Sequence, residues 1–185
     1  MNRVILTKVH MLLAAFMFPV AVMFLVTGGL YTWGFKGSYD SETYDLTLQQ
    51  PLTDDRALLI ELVSEELERL AIAPPSGEAK VKTLGTSFQL EWTGSRRDVL
   101  LVPVSDPLQA QLVIKETTWY RNLVQLHKAK GGVLFKIYAA MLAVALFTIL
   151  FSGFLMAWQV PKYRRQALMY SAAGLTLFMA MVFVS

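Results

Sequence analysis

Apolar residues occur in three long runs along this chain, and none of the runs contains a charged side chain. The runs extend from Met11 to Tyr31, from Ile137 to Pro161 and from Ala167 to Ser185. An α-helix needs roughly 20 residues to cross about 30 Å of hydrocarbon; the first two runs reach this length and the third is at the lower limit. The pattern therefore predicts three membrane-spanning helices, over residues 11–33, 133–158 and 167–184.

The first run is predicted to be a retained membrane anchor and not a signal peptide. Arg3 and Lys8 do give it the positively charged start that signal peptides share. Its apolar core is long for a signal peptide, however, and the stretch LVTGGLYTWG contains no A-x-A-like cleavage site.

Residues 34–116 lie between the first two runs, and their apolar residues recur at the spacings of short helices and strands. They are therefore predicted to form a small α+β domain. A helix is predicted to begin after Thr53 as its N-cap, with Asp54 and Asp55 in the first turn. An i,i+4 ion pair between Glu65 and Arg69 is expected on its surface. The apolar face of this helix consists of Leu59, Val63, Leu67 and Leu70.

Four predicted strands follow the stretch APPSG, which is expected to end the helix. Each strand alternates in polarity or is continuously apolar, and short turns separate them. They cover residues 79–85, 87–92, 98–104 and 109–115. Because strands joined by short turns pair antiparallel, we expect an antiparallel sheet with one face covered by the main helix.

The stretch TTWYRNLVQLHKAKGG, residues 117–132, is predicted to be a short amphipathic helix lying at the membrane surface. Trp119, Leu123 and Leu126 fall on one helical stripe, while basic residues project from other sides. The glycines at 131 and 132 then make the bend into the second span.

Aromatic side chains near the ends of the predicted helices indicate where the chain meets a lipid bilayer. Amphipathic rings prefer the membrane–water interface, so we expect four residues to anchor the chain there. These residues are Tyr31, Trp33, Trp119 and Tyr120.

Charges are distributed unevenly, and this distribution predicts the orientation. All 14 acidic residues lie between Asp40 and Glu116, whereas residues 1–10 and 159–166 carry only basic charges. By the positive-inside rule, both basic segments are cytoplasmic. The domain at 34–116 is therefore expected to be periplasmic, in a protein of a bacterial inner membrane.

Composition excludes several classes of function. The chain has 185 residues, 55% of them hydrophobic, and no cysteine. Without cysteine there is no disulfide, no thiolate metal site, no iron–sulfur cluster and no covalently attached c-type haem. The net charge of +3 is explained by the basic cytoplasmic segments, so no nucleic-acid partner is expected.

Several motifs, taken in order, resemble the PepSY-associated transmembrane family. They are KVHMLLA and TGGLY in the first span, VLLVPVSDPLQAQL in the domain, LVQLHKAKGG before the second span, and SGFLMAW and PKYRR at its end. The resemblance covers nearly the whole chain. It implies three spans with an extracytoplasmic PepSY-like α+β domain, in which one main helix packs on an antiparallel sheet.

The resemblance also implies two kinds of function. Some members of the wider family are b-haem proteins that pass electrons across the membrane, including ferric-siderophore reductases. Others are small, and PepSY domains elsewhere are proposed to bind or restrain proteins such as peptidases. The reductase-like members are larger and have more spans and more histidines than this chain.

His10 and His127 are the only histidines, and two interpretations of them are open. The resemblance implies ligands of haem b, which usually takes two axial ligands. Alternatively, each is an interfacial residue with no cofactor. Because they are predicted at opposite membrane surfaces, roughly 30 Å apart, two histidines on one iron would require a homodimer or a partner protein.

No assembled catalytic set is visible in the sequence. There is no Gly-x-Ser-x-Gly elbow, His-Glu-x-x-His motif or glycine-rich phosphate loop. The apolar runs contain no Asp, Glu, Lys or Arg, which argues against a pump or channel. We therefore expect a non-enzymatic accessory or protein-binding subunit, with a membrane or periplasmic protein partner or a homodimer. The alternative is a haem b electron-transfer component involved in iron acquisition.

Overall fold

A computed structural model describes residues 3–85 and 87–185, which form five helices and one five-stranded antiparallel sheet. The helices are α1 (Arg3–Thr32), α2 (Arg56–Arg69), α3 (Trp119–His127), α4 (Gly132–Trp158) and α5 (Pro161–Val184). The strands are β1 (Tyr39–Thr47), β2 (Ala79–Leu84), β3 (Ser87–Thr93), β4 (Arg97–Pro103) and β5 (Gln109–Thr117).

The described chain divides into two compact units. One contains only helical segments and the turn before α5, from the residues up to Ala21 and from residues 140–185. The other, residues 22–139, contains the whole sheet, α2, α3 and the adjoining ends of α1 and α4.

Three of the helices, α1, α4 and α5, are long and apolar enough to cross a membrane. They contain 30, 27 and 24 residues, so the prediction of three such helices is confirmed. The predicted loop at 159–166 is shorter than expected, because α5 already begins at Pro161. Proline is favourable at the first helical position, where its missing N–H is not needed, and the basic residues that follow are therefore helical.

The sheet has the order β1-β5-β4-β3-β2, and all its pairs are antiparallel. The four predicted strands are present, but the sequence did not predict β1. This strand, YDSETYDLT, has only one buried residue, Leu46, and lies at the edge of the sheet. Since most of its side chains are exposed, it lacks the apolar alternation by which the other strands were found.

The core of the domain lies between α2 and one face of the sheet. Leu59, Val63 and Leu67 are buried, as their helical spacing predicted. They pack in one cluster with alternate residues of the central strands. The largest of these are Leu90, Val99, Leu101, Leu112 and Ile114.

The ends and surface pairs of α2 differ from the prediction. Asp55, not Thr53, is the N-cap: its side chain accepts a hydrogen bond of 2.7 Å from the backbone N–H of Ala57. Both Asp54 and Asp55 therefore precede the first turn. Arg69 pairs with Glu66 at 2.7 Å and not with Glu65, because a carboxylate three residues away is also within reach on a helix.

Leu67→Ala is expected to destabilise the domain by about 2–4 kcal/mol, because Leu67 is 1% exposed and its truncation leaves a cavity. Leu58→Ala, on the same helix but 51% exposed, should cost less than about 1 kcal/mol. Pulse proteolysis of the intact, detergent-solubilised protein across a urea series measures both. Equal shifts of the unfolding midpoint would contradict this packing.

Candidate functional site

His127, the last residue of α3, packs against the end of α1 within the unit formed by residues 22–139. Its Nδ1 lies 3.0 Å from the hydroxyl oxygen of Thr27, which is 2% exposed. The ring of Phe24 lies beside the imidazole, with 4.8 Å between the centroids. A methyl group at Gly28 would lie 3.1 Å from Cε1 of His127, so the glycine is what lets the ring approach the helix.

His10 has a closely similar environment in the other unit. Its Nδ1 lies 2.9 Å from the hydroxyl oxygen of Ser152, which is 5% exposed. The next residue on α4 is again a glycine: a methyl group at Gly153 would lie 3.5 Å from Cε1 of His10. Each histidine thus faces a hydroxyl residue followed by glycine on a neighbouring helix.

The backbone hydrogen bonds of the Thr27 and Ser152 hydroxyls favour one tautomer of each histidine ring. Thr27 donates to the carbonyl of Met23 at 2.7 Å, and Ser152 donates to the carbonyl of Ile149 at 3.0 Å. A hydroxyl has one proton, so a hydroxyl that donates to its backbone carbonyl can only accept a hydrogen bond from the imidazole. The neutral ring then carries its proton on Nδ1 and keeps a lone pair on Nε2.

This arrangement leaves Nε2 of each histidine available as a metal ligand. A hydrogen bond at one ring nitrogen, which fixes the tautomer and the ring orientation, is the usual outer support of a metal-binding imidazole. Neither Nε2 has a hydrogen-bond partner among residues 3–85 and 87–185. Within those residues, no group of three or more His, Asp or Glu side chains is placed to hold a metal ion.

A buried polar cluster, formed by Tyr39, Asp98, Arg121 and Gln125, holds α3 on the sheet. Asp98 is 6% exposed and Gln125 is fully buried. The hydroxyl of Tyr39 donates to Asp98 at 2.8 Å, and the amide of Gln125 donates to Tyr39 at 3.0 Å and to Asp98 at 3.2 Å. Arg121 donates to the Tyr39 hydroxyl at 2.8 Å. The cluster thereby connects β1, β4 and α3.

Burial changes the acid–base properties of two groups around Asp98. It raises the pKa of Tyr39, which therefore keeps its proton and its hydrogen bond to the carboxylate. Burial also lowers the pKa of Lys130, whose ammonium group lies 3.9 Å from Asp98. The Asp98 oxygens accept hydrogen bonds from Tyr39, from Gln125 and from the backbone N–H of Gly94 at 3.0 Å, which makes the cluster a structural connection.

The four predicted interface anchors differ in exposure. Trp33 and Trp119 are 84% and 77% exposed. Tyr31 is half-buried, and the ammonium groups of Lys36 and Lys128 each lie 5.7 Å from its ring centre. Tyr120 is also half-buried and donates to the carbonyl of Phe35 at 3.2 Å.

Sequence reasoning found the histidines but missed their partners and the polar cluster. In α3 the most buried residues are Val124 and Gln125, whereas the predicted apolar stripe ran through Trp119, Leu123 and Leu126. A glutamine between two apolar residues gives no signal that it is buried. Thr27 and Ser152 were visible only as polar residues in apolar helices.

Comparisons with known proteins add no relative: no family model, curated protein or solved structure matches this chain.

Gly28→Ala is expected to be less stable than Gly29→Ala. Alanine is favoured over glycine inside a helix by about 0.5–1 kcal/mol. At Gly29 the new methyl group meets no described atom within 4 Å, whereas at Gly28 it lies 3.1 Å from Cε1 of His127, so the ring must shift by a few tenths of an ångström. The measurement is the thermal unfolding midpoint of each variant in detergent.

A His127→Ala background provides the control for this pair of glycine substitutions. Without the imidazole, the two should have the same effect on the unfolding midpoint. A difference that persists without the ring would contradict the contact between His127 and Gly28.

Proposed function

We propose that this protein is a non-enzymatic accessory subunit of the PepSY-associated transmembrane type, located in a bacterial inner membrane. Its helices α1, α4 and α5 span the membrane, with the N-terminus and residues 159–166 in the cytoplasm. The domain at 34–116 lies in the periplasm and binds a partner protein. The three apolar helices and the separation of acidic from basic residues support this topology.

The observation that carries the accessory role is the firm connection between the domain and the helix ends that belong to its unit. The polar cluster fixes α3 on the sheet, and Ser76 donates to the carbonyl of Lys130 at 3.0 Å, just before α4 begins. A domain held in this way keeps a fixed orientation relative to α3 and to the end of α4 that belongs to its own unit. Such a fixed orientation suits the recognition of a neighbouring membrane or periplasmic protein.

A second function is supported by the environment of the two histidines. Haem b, when bound, would supply one-electron chemistry, and His10 and His127 would each hold it through Nε2. Thr27 and Ser152 would keep the rings in the required tautomer. Since each site provides one imidazole, a second imidazole must come from another copy of the chain or from a partner.

The absence of cysteine permits one experiment to test both topology and partner binding. In Leu108→Cys, at the exposed β4–β5 turn, a membrane-impermeant maleimide–benzophenone reagent should react in intact cells and cross-link a partner on illumination. The matched control is Tyr163→Cys, which is similarly exposed, at 47% against 43%, but predicted to be cytoplasmic.

Labelling of Leu108→Cys alone, with one protein cross-linked in near-stoichiometric amount, is the expected result. Labelling of Tyr163→Cys alone would show that the topology is the opposite of the proposed one. A labelled domain that cross-links to no protein would overturn the accessory role.

The haem alternative predicts sharp Soret and α bands in the dithionite-reduced protein, with near-stoichiometric haem in a pyridine haemochrome assay. Thr27→Val should then broaden or shift these bands, because it removes the hydroxyl that orients His127 but preserves the size of the side chain. A colourless preparation that remains unchanged on addition of haem would exclude this alternative.

A further inference from the structure

A groove on the domain lies between α2 and residues 47–53, which are the last residue of β1 and the segment that follows it. Its volume is about 430 Å³, within the range of about 300–1,000 Å³ that is usual for ligand pockets. Leu52, Leu58 and Leu62 give it apolar walls. Leu58 is 51% exposed in the first turn of α2, so part of this apolar surface remains open to a partner.

Two unpaired carboxylates line the same groove. Glu61 and Glu65 are four residues apart and therefore neighbours on α2, where like charges destabilise a helix by about 0.2–0.5 kcal/mol. Neither has an ion-pair partner in the part of the chain that the structure describes, whereas Glu66 is paired with Arg69. A cation from another molecule would relieve this repulsion.

The charge of the whole domain favours the same kind of ligand. Residues 34–116 contain 14 acidic and eight basic side chains, a net charge of −6. Two copies of such a domain repel each other, while a positively charged partner is attracted at long range. The apolar walls formed by Leu52, Leu58 and Leu62 favour a ligand that also carries apolar side chains.

We propose that this groove binds a short segment of the partner protein in which lysine or arginine alternates with leucine-sized apolar residues. Its cations would contact Glu61 and Glu65, and its apolar side chains would pack against Leu58 and Leu62. The inference rests on the proposed accessory function and identifies the surface through which it operates.

A defined peptide tests the chemistry of the groove. The probe is fluorescein-labelled Lys-Leu-Lys-Leu-Lys, and its fluorescence anisotropy is measured with the intact protein in nanodiscs of zwitterionic phosphatidylcholine, against empty nanodiscs. The comparison probes Lys-Ser-Lys-Ser-Lys and Glu-Leu-Glu-Leu-Glu remove the apolar and the cationic groups respectively. Both should bind more weakly; equal binding of either one would overturn the proposed specificity.

Matched variants locate the binding. Glu61→Gln/Glu65→Gln should weaken binding of the lysine–leucine probe roughly fivefold or more. Glu68→Gln/Glu78→Gln removes the same charge from exposed positions of the domain outside the groove and should change binding less than about twofold. Equal losses of peptide affinity in the two double variants would show that binding depends only on the net charge. That result would overturn the groove as the binding site.

Folding does not confound this comparison. Glutamine has nearly the same shape as glutamate, and replacing Glu61 and Glu65 removes a repulsion, so the urea midpoint should be unchanged or higher. A lowered midpoint would show that the two carboxylates stabilise the fold, and would overturn their assignment to ligand binding.

Cross-linking from Leu108→Cys separates this inference from the proposed function. The carbonyl of Leu108 accepts a hydrogen bond of 2.8 Å from the N–H of Leu48, which lines the groove, so the reagent is attached close to it. Loss of the cross-linked partner in Glu61→Gln/Glu65→Gln would support both proposals. If the partner is still cross-linked in this double variant, only the proposed role of the groove is overturned. Peptide binding without any cross-linked protein would overturn only the accessory function, and a cross-link to a second copy would replace the proposed occupant.

Discussion

The position of α3 depends on one buried carboxylate. Asp98 accepts hydrogen bonds from Tyr39 on β1, from Gln125 on α3 and from the backbone of Gly94. A buried carboxylate without partners would cost several kcal/mol, so the donors and Asp98 require one another. His127 follows Gln125 by two residues. The same carboxylate therefore determines where the imidazole meets α1.

The two histidine sites are built alike, with a hydroxyl residue and a glycine facing each ring. Gly28 lets the His127 ring pack closely against α1, because a methyl group there would lie 3.1 Å from Cε1. Gly153 faces the His10 ring in the same way, but a methyl group there would lie at the ordinary contact distance of 3.5 Å. Inside apolar surroundings the N–H of each imidazole also needs an acceptor, since an unpaired buried donor costs about 1–3 kcal/mol. A hydroxyl whose own proton is bonded to its helix backbone meets this need, and it leaves the second ring nitrogen available.

Sequence patterns predicted those features of this fold that arise from many residues repeating one hydrophobic pattern. The three apolar helices, the strands from β2 to β5 and the buried face of α2 all follow from repeated hydrophobic spacing. The missed features depend on contacts with residues that are distant in the sequence. Strand β1 is polar and is held by its ladder with β5, and Gln125 is buried because Asp98 lies opposite. Spacing along the chain does not encode such partners.

The pairing of β1 with β5 also affects the order in which the domain can form. These strands are the first and the last of the sheet in sequence, yet they are neighbours, with Tyr39 opposite Thr117. During synthesis the β2–β3–β4 meander can assemble from local contacts, whereas β1 must wait for β5 to be translated. Completion of the sheet therefore has to follow the synthesis of β5, the strand that directly precedes α3.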